Sequence, residues 1–304
     1  MPIFNINSSK LSLIKEKGID LERDIQQLTE KNLETVFGVN FVGTEFALQK
    51  FRIDTLAFDR EANAFIIIEY KKDRSFSIID QGYAYLALML NNKADFILEY
   101  NEKTNGNLKR DNVDWSQSRV LFLAQSFTAY QQNAINFRDL PIELWEVKVF
   151  DNSTILYNQL LSQEAKESIK TITKNKTIES VSREVKVYTI EDHLAAAPEK
   201  IKKLFVPLRD KILALGEGIS ERPQKLYVAF RTQKNFAEIE IQKEKLKIHI
   251  DISKSKLNDP KNISRNVENI GHYGTGVTEI VLENLEDLPY IMTLLEQSYK
   301  TSRK

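Results

Sequence analysis

The sequence predicts an α/β fold with a mixed sheet, followed by a smaller α+β domain. Three observations carry this. Residues 65–68, Phe65-Ile66-Ile67-Ile68, form an apolar run of the kind a strand buried on both faces shows. Strand-like and helix-like periodicities alternate through residues 20–150 instead of segregating. A polar stretch over 161–187, poor in large apolar groups, then separates them from a second alternation beginning near 188. The expected boundaries are 1–160, a charged linker over 161–187, and 188–304.

In chain order, residues 20–36 read as a helix, with Asp20 as N-cap and Leu21, Ile25 and Leu28 at helical spacing. Phe41, Val42, Phe46 and Leu48 mark a first strand. Residues 51–58 and 65–72 are two more, joined by a polar connection of hairpin length. A helix is expected over 75–90, a strand over 94–100, a loop over 101–118 and a short buried strand over 120–124. A further helix begins near Ser126 or Thr128, and a near-edge strand covers 142–150. In the second domain, Ile201, Leu204, Phe205, Leu208 and Ile212 mark a helix ending near Gly216. Residues 225–230, 236–241 and 245–252 form a meander, 278–282 another strand, and 286–299 a closing helix.

Composition narrows the chemistry. The 304 residues suffice for two domains. With no cysteine, disulfides, thiolate zinc sites and cysteine nucleophiles are excluded. Three histidines, His193, His249 and His272, are too few for a histidine-rich metal centre. No apolar run approaches the roughly 18–20 residues of a membrane helix, and residues 1–20 lack a signal-peptide core. The expectation is a soluble, cytoplasmic protein without a membrane partner. The 43 basic and 43 acidic residues cancel, unlike the basic balance usual in phosphate binders, so a local site must decide the question of nucleic acid.

Asp54 interrupts an apolar strand, and Glu69 and Lys71 close another. Charge in such places needs compensation. Alternation puts Glu69 and Lys71 on one face. With Phe58 opposite Phe65, paired numbers sum to 123 and Asp54 stands opposite Glu69, where Cβ atoms are roughly 4.5–5.5 Å apart. Two such carboxylates repel unless they share a proton or a cation. Hard oxygen ligands of this kind suit Mg²⁺ or Mn²⁺, and the Tyr70 backbone carbonyl can add a further oxygen. Lys71 is then placed to orient water or to stabilise developing charge, which points to phosphodiester hydrolysis. A structural ion pair at a strand end is the plainer alternative.

Arg52-Ile53-Asp54, Ile68-Glu69-Tyr70-Lys71 and Gln81 in the next helix resemble the PD-(D/E)XK nuclease superfamily. Within it they are most similar to the archaeal and actinobacterial endonucleases of branched or mismatched DNA. The resemblance covers about residues 20–150. It implies a restriction-endonuclease-like core, a Mg²⁺ or Mn²⁺ cofactor and a nucleic-acid partner, DNA first. It assigns Asp54, Glu69, Lys71 and Gln81 to catalysis and leaves room for a homodimer. It also implies an acid in the preceding helix, for which Glu22 is the choice and Glu34 the alternative. Arg52, Lys72 and Arg74 are candidate phosphate contacts, with Lys109 and Arg110 beyond them. No counterpart of those endonucleases' separate N-terminal DNA-binding domain is expected in residues 1–304, so their substrate preference is not expected to carry over. A catalytically inactive nucleic-acid- or protein-binding module is the rival reading.

Residues 203–276 resemble a small uncharacterised domain often found behind nuclease-like or other modules, which lends no activity and leaves its protein partner unknown. Gly271 to Gly276 lacks the Gly-Lys-Ser/Thr of a phosphate loop and reads as a tight turn before the 278–282 strand. Tyr83 and Tyr85 read as core or helix-surface residues.

Overall fold

The computed structural model describes residues 2–18, 22–71, 77–161, 167–169, 175–232 and 234–303, and for Glu22 the backbone alone. The chain is a mixed α/β protein that divides into two compact units, Met1–Val187 and Tyr188–Lys304. Among the described residues, no helix is long and apolar enough to cross a membrane.

The first unit opens with a hairpin that the sequence reading did not foresee, β1 (Ile3–Asn7) and β2 (Lys10–Ile14), which among the described residues pair only with each other. A short β3 (Glu16–Lys17) leads to α1 (Glu22–Glu30) and α2 (Leu33–Phe37). The single helix expected over 20–36 is thus two, and the second ends where Gly38 takes a left-handed φ of 69°. Then follow β4 (Asn40–Leu48), β5 (Phe51–Asp59), β6 (Ala64–Lys71) and α3 (Ile78–Asn91), the last capped by the Ser77 hydroxyl. After these come α4 (Lys93–Thr104), β7 (Arg119–Ala124), α5 (Ala129–Ala134), β8 (Ile142–Phe150) and β9 (Ile155–Leu160). The sheet runs β3-β8-β7-β6-β5-β4, with β9 also paired to β8. Its β4-β5-β6 half is antiparallel, and β6-β7-β8 is parallel.

Alternation along β6 explains the uninterrupted apolar run. Phe65 and Ile67 pack with Tyr83, Leu86, Met89 and Phe96 of α3 and α4. Ile66, Ile68 and Tyr70 pack with Ile25, Leu33 and Phe37 of α1 and α2. Both faces are covered, and each such side chain contributes about 1.5–3 kcal/mol by leaving water.

Two expectations change. Residues 94–100 are helical, not a strand. Phe96 and Tyr100, four apart, stack along one helix face onto Phe65 and Phe58, while Leu98 points to solvent. A short apolar run fits either period, and here the partners across the core select the helix. The stretch 161–187 is not a linker over its described part. Helix α6 (Lys176–Glu184) buries Ile178 and Val181, and Val185 follows them into the same core as α3.

The second unit holds α7 (Ile190–Ala195), α8 (Glu199–Leu213), β10 (Ser220–Pro223), β11 (Val228–Arg231), β12 (Asn235–Ile241), β13 (Leu246–Ile250), β14 (Arg265–Asn266), β15 (Thr278–Leu282) and α9 (Leu288–Ser302). The six strands form one antiparallel sheet in the order β10-β11-β12-β13-β15-β14. On one face Ile239, Ile248, Ile250, Ile280 and Leu282 meet Phe205 and Leu208 of α8 and Ile291 and Leu295 of α9.

Candidate active site

The β5–β6 register is the one the number sum of 123 describes: Phe58 pairs with Phe65, and the ladder runs up to Thr55 opposite Ile68. It stops one pair short of Asp54 and Glu69. Ile53 and Leu56 lie on the same face although three apart, and Thr55 turns to α1, where its hydroxyl donates to Glu30 at 2.6 Å. The strand is therefore irregular at Asp54–Thr55, and side chains replace the ladder there. The Asp54 N–H donates to Glu69 Oε1 at 3.3 Å, and Asp54 Oδ2 accepts the Tyr70 N–H at 3.1 Å. From α1, the Gln26 amide donates to the Asp54 carbonyl at 2.9 Å and so fixes the strand end.

Lys71 Nζ lies 3.1 Å from Glu69 Oε2. Glu69 is only 2% exposed, whereas Asp54 and Lys71 are half-buried, so the cluster has one buried and one open side. Burial, and next the charge of Asp54, push the Glu69 carboxyl up to about 7; Lys71 and a hydrogen bond from Tyr85 pull the other way. The site therefore holds a buried acid that resists ionisation beside a second carboxylate.

The structure thus brings Asp54, Glu69 and Lys71 together. Gln81 joins them at one remove: its amide donates to the Tyr85 hydroxyl at 3.4 Å, and Tyr85 bonds Glu69. Sequence reasoning missed Tyr85, which it read as a core or helix-surface residue, and Gln26. The one available signal for Tyr85 was its position four residues after Gln81, on the same helical face. The Tyr70 side chain points to the opposite face, near Thr55.

Other candidates stand apart. Arg52 is exposed and paired with Glu45 at 2.9 Å. Glu34 is exposed on α2. Lys72 and Arg74 lie outside the described residues, as does the Glu22 side chain; the Glu22 backbone stands one turn before Gln26. Among the described residues, no group of three or more His, Cys, Asp or Glu gathers closely enough to hold a metal ion.

Fold and site define a mixed α/β protein whose central sheet ends in an Asp–Glu–Lys cluster beneath α3. The chain is 46% identical over 301 residues to an uncharacterized protein of Haemophilus influenzae, covering 99% of this chain and 100% of that one. It belongs to the family of that protein. Residues 190–302 match the family model described as Domain of unknown function (DUF5655). Two solved structures show a limited likeness. A repair endonuclease from Pyrococcus abyssi shares 13% identity over 40% of this chain and 45% of that chain, with a TM-score of 0.22. Pyrococcus furiosus SfsA in complex with Ca²⁺ shares 12% identity over 50% of this chain and 77% of that chain, with a TM-score of 0.26.

Proposed function

We propose that the Met1–Val187 unit is a metal-dependent nuclease with a restriction-endonuclease-like core, hydrolysing phosphodiester bonds in nucleic acid, DNA in the first instance. The observation that carries this reading is the convergence of Asp54, Glu69 and Lys71 at the point where the β5–β6 ladder gives way to side chains.

The donor set fits a hard divalent ion. Asp54 and Glu69 are close enough for the charge of one to oppose ionisation of the other, a tension that Mg²⁺ or Mn²⁺ relieves. The Tyr70 carbonyl is a candidate third oxygen. Its N–H points to Asp54, and in an extended residue the N–H and C=O face the same edge. Glu22, one turn from Gln26, is a candidate fourth. When bound, the ion supplies Lewis acidity toward the phosphate and toward water.

The chain's own groups do the rest. Lys71, anchored on Glu69, presents an ammonium that can orient a water for in-line attack and answer charge developing on phosphorus oxygens. Tyr85, itself held by Gln81, donates to Glu69 and keeps its carboxylate aimed. Arg52, Lys72 and Arg74 flank the site in sequence and are the proposed contacts for neighbouring phosphates.

The test is cleavage of plasmid, branched and single-stranded DNA with Mg²⁺ or Mn²⁺, beside the same reactions in EDTA and with Asp54→Ala and Lys71→Ala. The reading expects metal-dependent cleavage that both substitutions abolish. Wild-type turnover no greater than the variants' defeats it.

A second reading, a binding module without turnover, is favoured by one observation: among the described residues only two acids meet at the site. It expects salt-sensitive binding of DNA without cleavage and no response to Mn²⁺.

A further inference from the structure

The second unit's sheet has a core face and a polar face. Across the polar face the register aligns four ionisable residues on four neighbouring strands. Glu238 of β12 stands opposite His249 of β13, His249 opposite Glu279 of β15, and Glu279 opposite Arg265 of β14. Glu238, His249 and Glu279 are all buried. What covers them is the turn Gly271-His272-Tyr273-Gly274-Thr275-Gly276. Glu238 receives the Thr275 N–H and hydroxyl at 2.9 and 2.8 Å and the Gly276 N–H at 2.9 Å. The His272 ring stacks on that of His249, with centroids 4.6 Å apart.

The glycine spacing follows from this close seat. Gly274 has a φ of 91°, and a Cβ there would sit 2.2 Å from Glu238 Oε2. At Gly276 a Cβ would meet the Ile250 backbone nitrogen at 2.7 Å. So many buried polar groups are more than a turn requires. Between the turn and the sheet lies a cavity of about 450 Å³, and Lys247, Arg265, Ile270, Tyr273, Glu240 and Glu279 are among its walls. That volume is within the range of small-molecule sites.

The walls carry two cations, Lys247 and Arg265, and two acids, Glu240 and Glu279. Glu279 is committed to Arg265, which grips it through Nε at 2.7 Å and Nη2 at 3.0 Å. It also faces His249 Nε2 at 3.3 Å. A buried carboxylate thereby holds an exposed guanidinium in one orientation. Lys247 approaches the same carboxylate only to 3.9 Å, so Lys247 and Arg265 both reach Glu279 at the cavity wall. Glu240, directly opposite Lys247 in the β12–β13 register, accepts the Gln242 amide at 2.7 Å. Ile270 and Tyr273 leave apolar surface half-exposed at the mouth.

We propose that this cavity is a binding site for a small organic anion, with a phosphate or carboxylate head between Lys247 and Arg265 and a ring against Tyr273 and Ile270. The site lies wholly within the Tyr188–Lys304 unit and is independent of the nuclease reading.

The test uses the full chain carrying ¹³C-labelled isoleucine methyls, titrated with phenyl phosphate, benzoate, inorganic phosphate and, as the opposite charge, benzylamine. The Ile270 methyl reports occupancy. The expected result is a saturable shift with phenyl phosphate or benzoate, the stronger of the two identifying the head group. Affinity should fall at least tenfold in Lys247→Met and in Tyr273→Ala. Arg265→Gln should do the same, and the other two variants leave the Arg265–Glu279 pair intact should that one misfold. No saturable shift up to about 10 mM, shifts that survive all three substitutions, or a response to benzylamine in place of the anions would overturn the proposal.

Discussion

Lys71 Nζ sits 3.1 Å from Glu69 Oε2, two residues along the same strand and on the same face of the sheet. The ammonium leaves the second oxygen, Oε1, to the Asp54 N–H. One buried carboxylate thus ties together the two other members of the cluster, and its protonation state should govern the whole site.

Glu69 gives the first prediction. Its carboxyl ionises near 4.5 when unperturbed and near 7 in the fold. The group's contribution to stability is therefore intact below pH 4.5 and is lost as pH rises to 7, to the extent of about 3 kcal/mol. Glu69→Gln removes this loss. In EDTA, urea unfolding of the variant should match wild type near pH 4 and show a gain of up to about 3 kcal/mol near pH 8. An equal difference at both pH values would show that the acid is not held protonated.

Tyr85 donates to Glu69 and so favours its charged form. If the unit cleaves DNA as proposed, Tyr85→Phe should move the acid limb of the cleavage profile to higher pH and slow cleavage at pH 6 by about tenfold, with a smaller effect at pH 9. Complete pH–rate profiles of both proteins would check this. Parallel profiles would separate Tyr85 from the site.

Packing distinguishes the two readings of residues 94–100. Phe96 is fully buried against Phe46 and Phe65, whereas Leu98 is exposed. Phe96→Ala should cost about 3–5 kcal/mol in chemical denaturation. Leu98→Ala should stay within about 0.5 kcal/mol of wild type.

Gly276 abuts the β13 backbone, which cannot give way as a side chain can. Gly276→Ala should destabilise the Tyr188–Lys304 unit by about 1–3 kcal/mol, read from unfolding monitored at the His249 and His272 ring signals. Mn²⁺ affinity should be unchanged.

These positions also show what sequence can and cannot supply. The β5–β6 register and the shared face of Glu69 and Lys71 were legible because strand alternation and hairpin pairing are local rules. Asp54 was expected directly opposite Glu69, but the ladder ends at Thr55, and there the Asp54 carbonyl takes the Gln26 amide of α1, a contact 28 residues away in sequence. Tyr85 read as core or helix surface, and it is buried; its site role was not legible because aromatic burial and hydroxyl orientation are separate facts, and only the second depends on Glu69 lying beneath α3. Residues 176–187 read as a linker because their apolar residues are few. Ile178, Val181 and Val185 form a single stripe, and its partner, α3, lies almost a hundred residues earlier. The polar row Glu238–His249–Glu279–Arg265 stayed hidden because it exists only once four strands are in register.

Binding of Mn²⁺ tests the central claim most directly, followed by the electron paramagnetic resonance of the free ion and by proton release into weak buffer at pH 6. If Asp54 and Glu69 jointly hold a divalent ion, wild type binds Mn²⁺ and releases protons as it does so, because the ion displaces the Glu69 proton. Asp54→Ala and Glu69→Ala should each lose both signals. Binding equally tight in the two variants, or no binding by the wild type, would contradict the account.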